Sequence, residues 1–208
     1  MAPYPLRVYR IPFSTNVERV ALALGHKGIS VDWVDVDPAD RSPVVEVSGQ
    51  ELVPVLVDGD LVLPDSLAIL RHLEELRPDP PLWPREPARR AEADVFVDWF
   101  NQVWKRAPNL LAAEVEMAEP DHARVEELGG RVTASVDRFE ALLDGRDHLL
   151  GDEFGIADVT AFPFLKYMTV WEDGDAHLFH ALLRDWMPPG RHPRVEAWIA
   201  RVDALPRA

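Results

Sequence analysis

No cysteine occurs in the 208 residues. That absence removes disulfides, thiolate metal sites and a cysteine nucleophile together, and it fits a reducing cytoplasm. No apolar run approaches the roughly 20 residues of a membrane-spanning helix. The opening MAPYPLRVYR has no charged region followed by an apolar core, so no secretory leader is expected. Positive charge is in deficit. Lys and Arg number 22 against 36 Asp and Glu, a net −14. Such a chain repels phosphate backbones and anionic bilayers, which argues against nucleic-acid and membrane partners. HExxH, GxGxxG and P-loop patterns are all missing. What is present is a chain 47% apolar, long enough to bury a sizeable core.

Along the chain the apolar period switches between strand-like and helix-like. LRVYRI (6–11) reads as a strand ending at Pro12. Val17, Val20, Ala21 and Leu24 then recur at i, i+3, i+4 and i+7, the signature of a helix over 15–27 closed by Gly25 and Gly28. ISVDWVDV (29–36) alternates as a half-exposed strand, and 38–51 reads as a loop with one short helix. LVPVLV (52–57), a turn at Asp58-Gly59 and a return strand at 61–63 follow. Asp65-Ser66 starts a helix carrying Leu67, Leu70, Leu73 and Leu76. RPDPPLWPREP (77–87) holds five prolines in eleven residues, a stiff linker and the best domain boundary. Beyond it only helical patterns occur, over 88–115, 121–144, 156–170, 176–186 and 192–204. The expected domains are 1–78, a linker at 79–87, and 88–208.

Four short stretches could carry chemistry. In IPFSTNVERV (11–20), Thr15 and Glu18 fit a capping box, which assigns Thr15 to the helix and leaves Ser14 outside it. A serine beside a helix N-terminus could stabilise a bound anion such as a thiolate. The alternative is that Ser14 itself is the N-cap and nothing more. Pro54 after Val53 cannot donate to a ladder, so it marks either an ordinary edge strand or a turn with a cis bond. In the second case the Val53 backbone could pair with an extended peptide ligand. Asp65 and Ser66 could grip a ligand's α-amino and α-carboxylate groups, or simply cap their helix. Asp158, three residues past Gly155 in GDEFGIAD, reads as a folding element whose carboxylate reaches back to backbone amides. His177 and His180 share a helical face without an accompanying carboxylate pattern, so no metal site is expected.

Taken together, these stretches resemble the cytosolic glutathione transferase family. STNVERVALALGHKGI is similar to the catalytic-loop and first-helix motif of its serine-type classes. SGQELVPVLVDGDLVLPDSLAILRHLEELRPDPPLWP is similar to the glutathione-site half of many bacterial members. GDEFGIADVTAFP resembles the family's hydrophobic-staple and capping-box segment, with Gly155 where a Ser or Thr is usual. The resemblance implies an α/β thioredoxin-like N-terminal domain plus an all-α C-terminal helical domain, with a hydrophobic pocket between them. It implies a cytoplasmic homodimer acting in detoxification, with glutathione or a related low-molecular-weight thiol as co-substrate, a small hydrophobic electrophile, and no permanently bound cofactor or metal. Carried over, Ser14 would hold the glutathione sulfur as a thiolate, the competent nucleophile. Val53 would pair with the cysteinyl unit, with Pro54 cis, and Asp65 and Ser66 would hold the γ-glutamyl end. Many members have Glu or Gln in place of Asp65, and two residues, Glu51 and Leu52, separate Gln50 from Val53, which argues against a glutathione contact by Gln50. Tyr9 is the rival thiol partner. Ser14 is preferred, because its spacing to Arg19 and to Lys27-Gly28-Ile29 matches the serine classes. Ile11, Pro12, Phe13, Phe100 and Trp104 are expected pocket walls. The alternatives are a glutathione-dependent isomerase or ring-opening enzyme, and a non-catalytic binding protein of the same fold.

Overall fold

The computed structural model describes residues 5–208, which form two compact units, residues up to 82 with 205–208, and 83–204.

In the first unit, β1 (Arg7–Arg10), α1 (Thr15–Lys27), β2 (Asp32–Asp35), α2 (Ser42–Ser48), β3 (Val55–Asp58), β4 (Leu61–Leu63) and α3 (Ser66–Leu76) follow in chain order. The sheet order is β2-β1-β3-β4, with β1 parallel to β2 and antiparallel to β3, and β3 antiparallel to β4. This is the thioredoxin-like arrangement. Alternation along the strands feeds two cores. Helices α1 and α3 pack together and bury Val20, Leu24, Ile69 and Leu73. A separate cluster joins Ile11, Val36 and Val55 to Val44 of α2, with Tyr9 and Val53 packed against it. The strand expected over 52–57 begins only at Val55, because Pro54 has no N–H to pair.

Gly28, left-handed at φ 59°, ends α1 and returns its N–H to the Gly25 carbonyl, while Ile29 N–H reaches Leu24. Beside it the buried Lys27 ammonium donates to the carbonyls of Arg77 (2.7 Å) and Pro80 (3.0 Å) and pairs with Glu74 at 2.6 Å. Fully hydrogen-bonded, this charge can stay buried, and it locks the ends of α1 and α3 to the proline segment.

The expected helical domain ran to residue 208, but the last four residues belong to the first unit. Arg207 pairs with Glu18 of α1 at 2.9 Å, and the Trp33 indole donates to the Ala208 carbonyl at 3.0 Å. The tail runs so close to α1 that a Cβ on Gly25 would lie 2.1 Å from the Pro206 carbonyl oxygen. Two Gly25→Ala outcomes should therefore differ in sign. In the full chain a clear loss of melting temperature is expected. In a chain ending at Leu205 the same change should raise stability by about 1 kcal/mol, the helix preference of Ala over Gly. Equal losses in both backgrounds would contradict the close approach.

The second unit is helical: α4 (Pro87–Trp99), α5 (Arg106–Val115), α6 (His122–Leu142), α7 (Ile156–Leu165), α8 (Leu178–Trp186) and α9 (Pro193–Asp203). The single helix expected over 88–115 is interrupted. Residues Phe100–Trp104 form a π-turn, and Lys105 N–H reaches five residues back to the Phe100 carbonyl. Pro108 is the physical reason. It lacks an N–H for the residue 104 carbonyl, and its ring would collide with it. Helix α7 is buried along its whole length. Asp158 anchors it, accepting from Gly155 N–H (2.9 Å), Leu149 N–H (3.1 Å) and the Trp198 indole (2.7 Å). Glycine supplies no side chain to cap α7, so the carboxylate alone holds the turn. His180 does have a carboxylate partner, Asp175 at 2.7 Å, and the Tyr167 ring stacks on it. Burial pushes this histidine below its usual range, as expected of a packed core group.

Candidate functional site

The strand registers bring three predicted stretches together. Tyr9 of β1 lies opposite Val55 of β3, so the exit of β1, which leads to Ser14, lies beside the entry of β3 at Val53-Pro54. Leu63 of β4 lies opposite Leu56 of β3, so the exit of β4, which leads to Asp65, reaches the same end of the sheet. Gln50 ties two of these segments directly, its amide donating to the Pro64 carbonyl at 2.6 Å. The Val53-Pro54 bond is cis.

Helices α1 and α3 both begin at this end, so their N-termini make it favourable to anions. The capping assignment differs from the sequence expectation. Ser14, not Thr15, is the N-cap of α1; its Oγ accepts from Val17 N–H at 3.4 Å, and Thr15 is the first helical residue. The cause is backbone geometry one residue earlier. Phe13 sits in the left-handed region at φ 63°, unusual for a bulky residue, and it turns the extended Ser14 into the cap position. Capping uses an oxygen lone pair only, so the Ser14 hydroxyl proton remains available to donate. At α3, Asp65 is the cap, with Oδ1 accepting from Ala68 N–H at 2.9 Å, and Ser66 behind it is buried.

Arg19, used at the sequence level only for its spacing, contributes the site's buried charge. It is 3% exposed on α1. Burial pushes its guanidinium down to about 9, while the Asp65 carboxylate pulls the other way. It therefore stays cationic at neutral pH and presents positive charge toward the start of α3. Its signal in the sequence was an arginine one position before the apolar Val20-Ala21 face, a place where a solvated residue is usual.

Residues 8–81 match the glutathione S-transferase N-terminal domain model, and residues 123–201 match the C-terminal domain model. The chain belongs to the glutathione S-transferase family. Glutathione S-transferase 3 of Zea mays is 30% identical over 222 aligned residues, covering 97% of this chain and 90% of that protein. FtsZ-localized protein A of Caulobacter vibrioides is also 30% identical, over 178 residues, covering 80% of this chain and 78% of the relative. The theta-class glutathione S-transferase of Xanthomonas axonopodis pv. citri, solved with glutathione bound, superposes with a TM-score of 0.72 at 26% identity over 97% of this chain and 94% of the other.

Within this glutathione S-transferase fold, the remaining predicted residues divide. Tyr9 packs its ring into the α2-side cluster. Ile11 belongs to that same core at 6% exposure, Pro12 is exposed and Phe13 half-buried. Phe100 is fully enclosed, stacked on Trp104 at 4.5 Å, so its expected place in a pocket wall is corrected. Trp104 does line a cavity within the helical unit, with its indole donating to Ser135 Oγ at 2.8 Å. Among the described residues no three metal-ligating side chains converge, and no helix is long and apolar enough to cross a membrane.

Proposed function

We propose that the chain is a glutathione transferase that holds glutathione at the sheet end where Ser14, Val53-Pro54 and Asp65-Ser66 meet. The observation that carries this reading is the convergence of those three segments on two helix N-termini beside a buried Arg19. In this reading Ser14 caps α1 with a lone pair and donates its proton to the glutathione sulfur. The α1 dipole adds to the same effect, so the thiol ionises near neutral pH. The Val53 backbone pairs with the cysteinyl unit across the cis bond. The exposed Asp65 carboxylate receives the γ-glutamyl ammonium, Ser66 and the α3 amides receive the adjacent carboxylate, and Arg19 steadies Asp65 from behind. The thiolate then attacks a small hydrophobic electrophile. It forms the carbon–sulfur bond as the leaving group departs with its electron pair. The family's character supports a cytoplasmic homodimer.

The test is consumption of glutathione with a general aryl halide. Asp65→Asn separates binding from folding. Asparagine caps a helix as well as aspartate does, so α3 should stay capped and the melting temperature should fall only by what the carboxylate contributes opposite the buried Arg19. Losing a charge-assisted bond of about 1.5–3 kcal/mol should raise the KM for glutathione roughly ten- to a hundredfold while kcat changes little. An unchanged KM would remove Asp65 from the site. A second reading, a binding protein without turnover, gains some support from the likeness to FtsZ-localized protein A. Calorimetric binding of glutathione without any consumption of it would favour that reading.

A further inference from the structure

The tail at 205–208 lies along one face of α1. The Pro206 carbonyl packs against Gly25, the Ala208 N–H reaches the Ala21 carbonyl at 3.4 Å, and Arg207 meets Glu18. Positions 25, 21 and 18 are successive turns of that face, so the tail runs antiparallel to α1, toward its start. Arg207 donates from Nε at 3.1 Å and from Nη2 at 2.9 Å, both to Oε1 of Glu18. Its Nη1 donates to the Leu205 carbonyl at 2.6 Å, which fixes the guanidinium in place. Both partners of the ion pair are mostly buried, though they stand 189 positions apart in the chain.

Glu18 is the acidic residue in the first turn of α1. It stands one turn beyond Ser14, with its N–H on the Ser14 carbonyl at 2.9 Å. Side chains one turn apart share a face, with Cβ atoms about 6 Å from each other, and helical side chains tilt toward the N-terminus. The Glu18 carboxylate is therefore a fixed anion at the same electropositive helix start that Ser14 guards. A second anion bound there would be repelled by it. The other two charged groups at this place, Arg19 of α1 and Asp65 of α3, attract one another. The cation that answers Glu18 comes from the tail.

We propose, on the reading in which Ser14 holds the glutathione sulfur, that Arg207 is a positioning residue for that site: it cancels the charge of Glu18 and so leaves the field of the α1 N-terminus to the thiolate. An unpaired carboxylate at this range, partly screened by water, should shift the thiol by about 0.5–1 pKa unit. The tail then serves the reaction as well as the fold.

The experiment is a double-mutant cycle in the full chain: Arg207→Ala, Glu18→Gln and the two combined, with Arg207→Lys as the conservative variant. In each, the thiol of bound glutathione is titrated by thiolate absorbance. Expected in Arg207→Ala is a thiol pKa raised by about 0.5–1 unit, with transfer at neutral pH slowed roughly three- to tenfold. The deficit should shrink as the pH rises through the variant's thiol pKa. Arg207→Lys keeps the charge and should titrate close to the wild type. Glu18→Gln breaks the same ion pair, yet it should titrate at or below the wild-type value, and the combined variant should return to that value. A tether that serves folding alone would give neither the opposite signs nor the restoration. Arg207→Ala that titrates as the wild type, or a rise that persists in the Glu18→Gln background, would overturn the proposal alone. A wild type that binds no glutathione would overturn it together with the thiol-site reading.

Discussion

Replacing Ser14 by alanine is expected to slow glutathione transfer roughly ten- to a hundredfold at neutral pH. A hydrogen bond to a charged group contributes about 1.5–3 kcal/mol. Removing it should raise the pKa of the bound thiol by about 1–2 units. The sign has a consequence across pH. The wild-type thiolate persists to lower pH, so the mutant's deficit should be full near neutrality. It should shrink as the pH rises through the mutant's own thiol pKa. A structural role alone would give a deficit that does not move with pH. Ser14 is also the cap of α1, so the same mutation should cost about 1 kcal/mol of stability. Thr15→Ala should cost little in either respect, because Thr15 accepts no capping bond. The pairing of a large pH-dependent rate loss with a small stability loss at Ser14, and neither at Thr15, is checked by rate profiles and melting curves on the two variants.

The largest effect on stability is expected at Asp158. Its carboxylate is 1% exposed and satisfies two backbone amides and the Trp198 indole, with His148 3.5 Å away. Asp158→Ala would leave three buried donors without an acceptor, at about 1–3 kcal/mol each. Partial relaxation brings the expected loss to about 3–5 kcal/mol, a large part of the stability of an ordinary domain. Asp158→Asn is nearly isosteric, yet it turns one acceptor into a donor aimed at other donors, so it should also destabilise clearly. Chemical denaturation of both variants tests this. A midpoint unchanged in Asp158→Ala would show that the carboxylate is not what holds the start of α7. Activity per folded molecule should be unaffected, since Asp158 belongs to the helical unit and the residues proposed to hold the thiol belong to the first unit.

Much of this was readable from residue order, for identifiable reasons. The α1 stripe of Val17, Val20, Ala21 and Leu24 is strictly periodic, and the glycine at its end takes the expected left-handed turn. The role of Asp158 was legible because a capping box is local in sequence. The Ser14–Thr15 choice was not. Both hydroxyls have a plausible partner three residues on, and the decision rests on the positive φ of Phe13, which a phenylalanine gives no reason to expect. Phe100 looks like a pocket aromatic in a sequence, but only packing tells a core wall from a pocket wall. Arg19 was missed as a site residue because a buried guanidinium on an amphipathic helix reads as a solvated one. The tail at 205–208 was assigned to the wrong unit because nothing local announces that Gly25 makes room for Pro206.

The most direct measurement is a pH titration of the glutathione thiol bound to the wild-type protein, followed by the ultraviolet absorbance of the thiolate. A bound thiol that ionises about 1–2 units below free glutathione, and returns toward the free value in Ser14→Ala, is the expected result. Glutathione that fails to bind, or that binds and titrates as it does free in solution, would contradict the assignment of Ser14 and of the sheet end it guards.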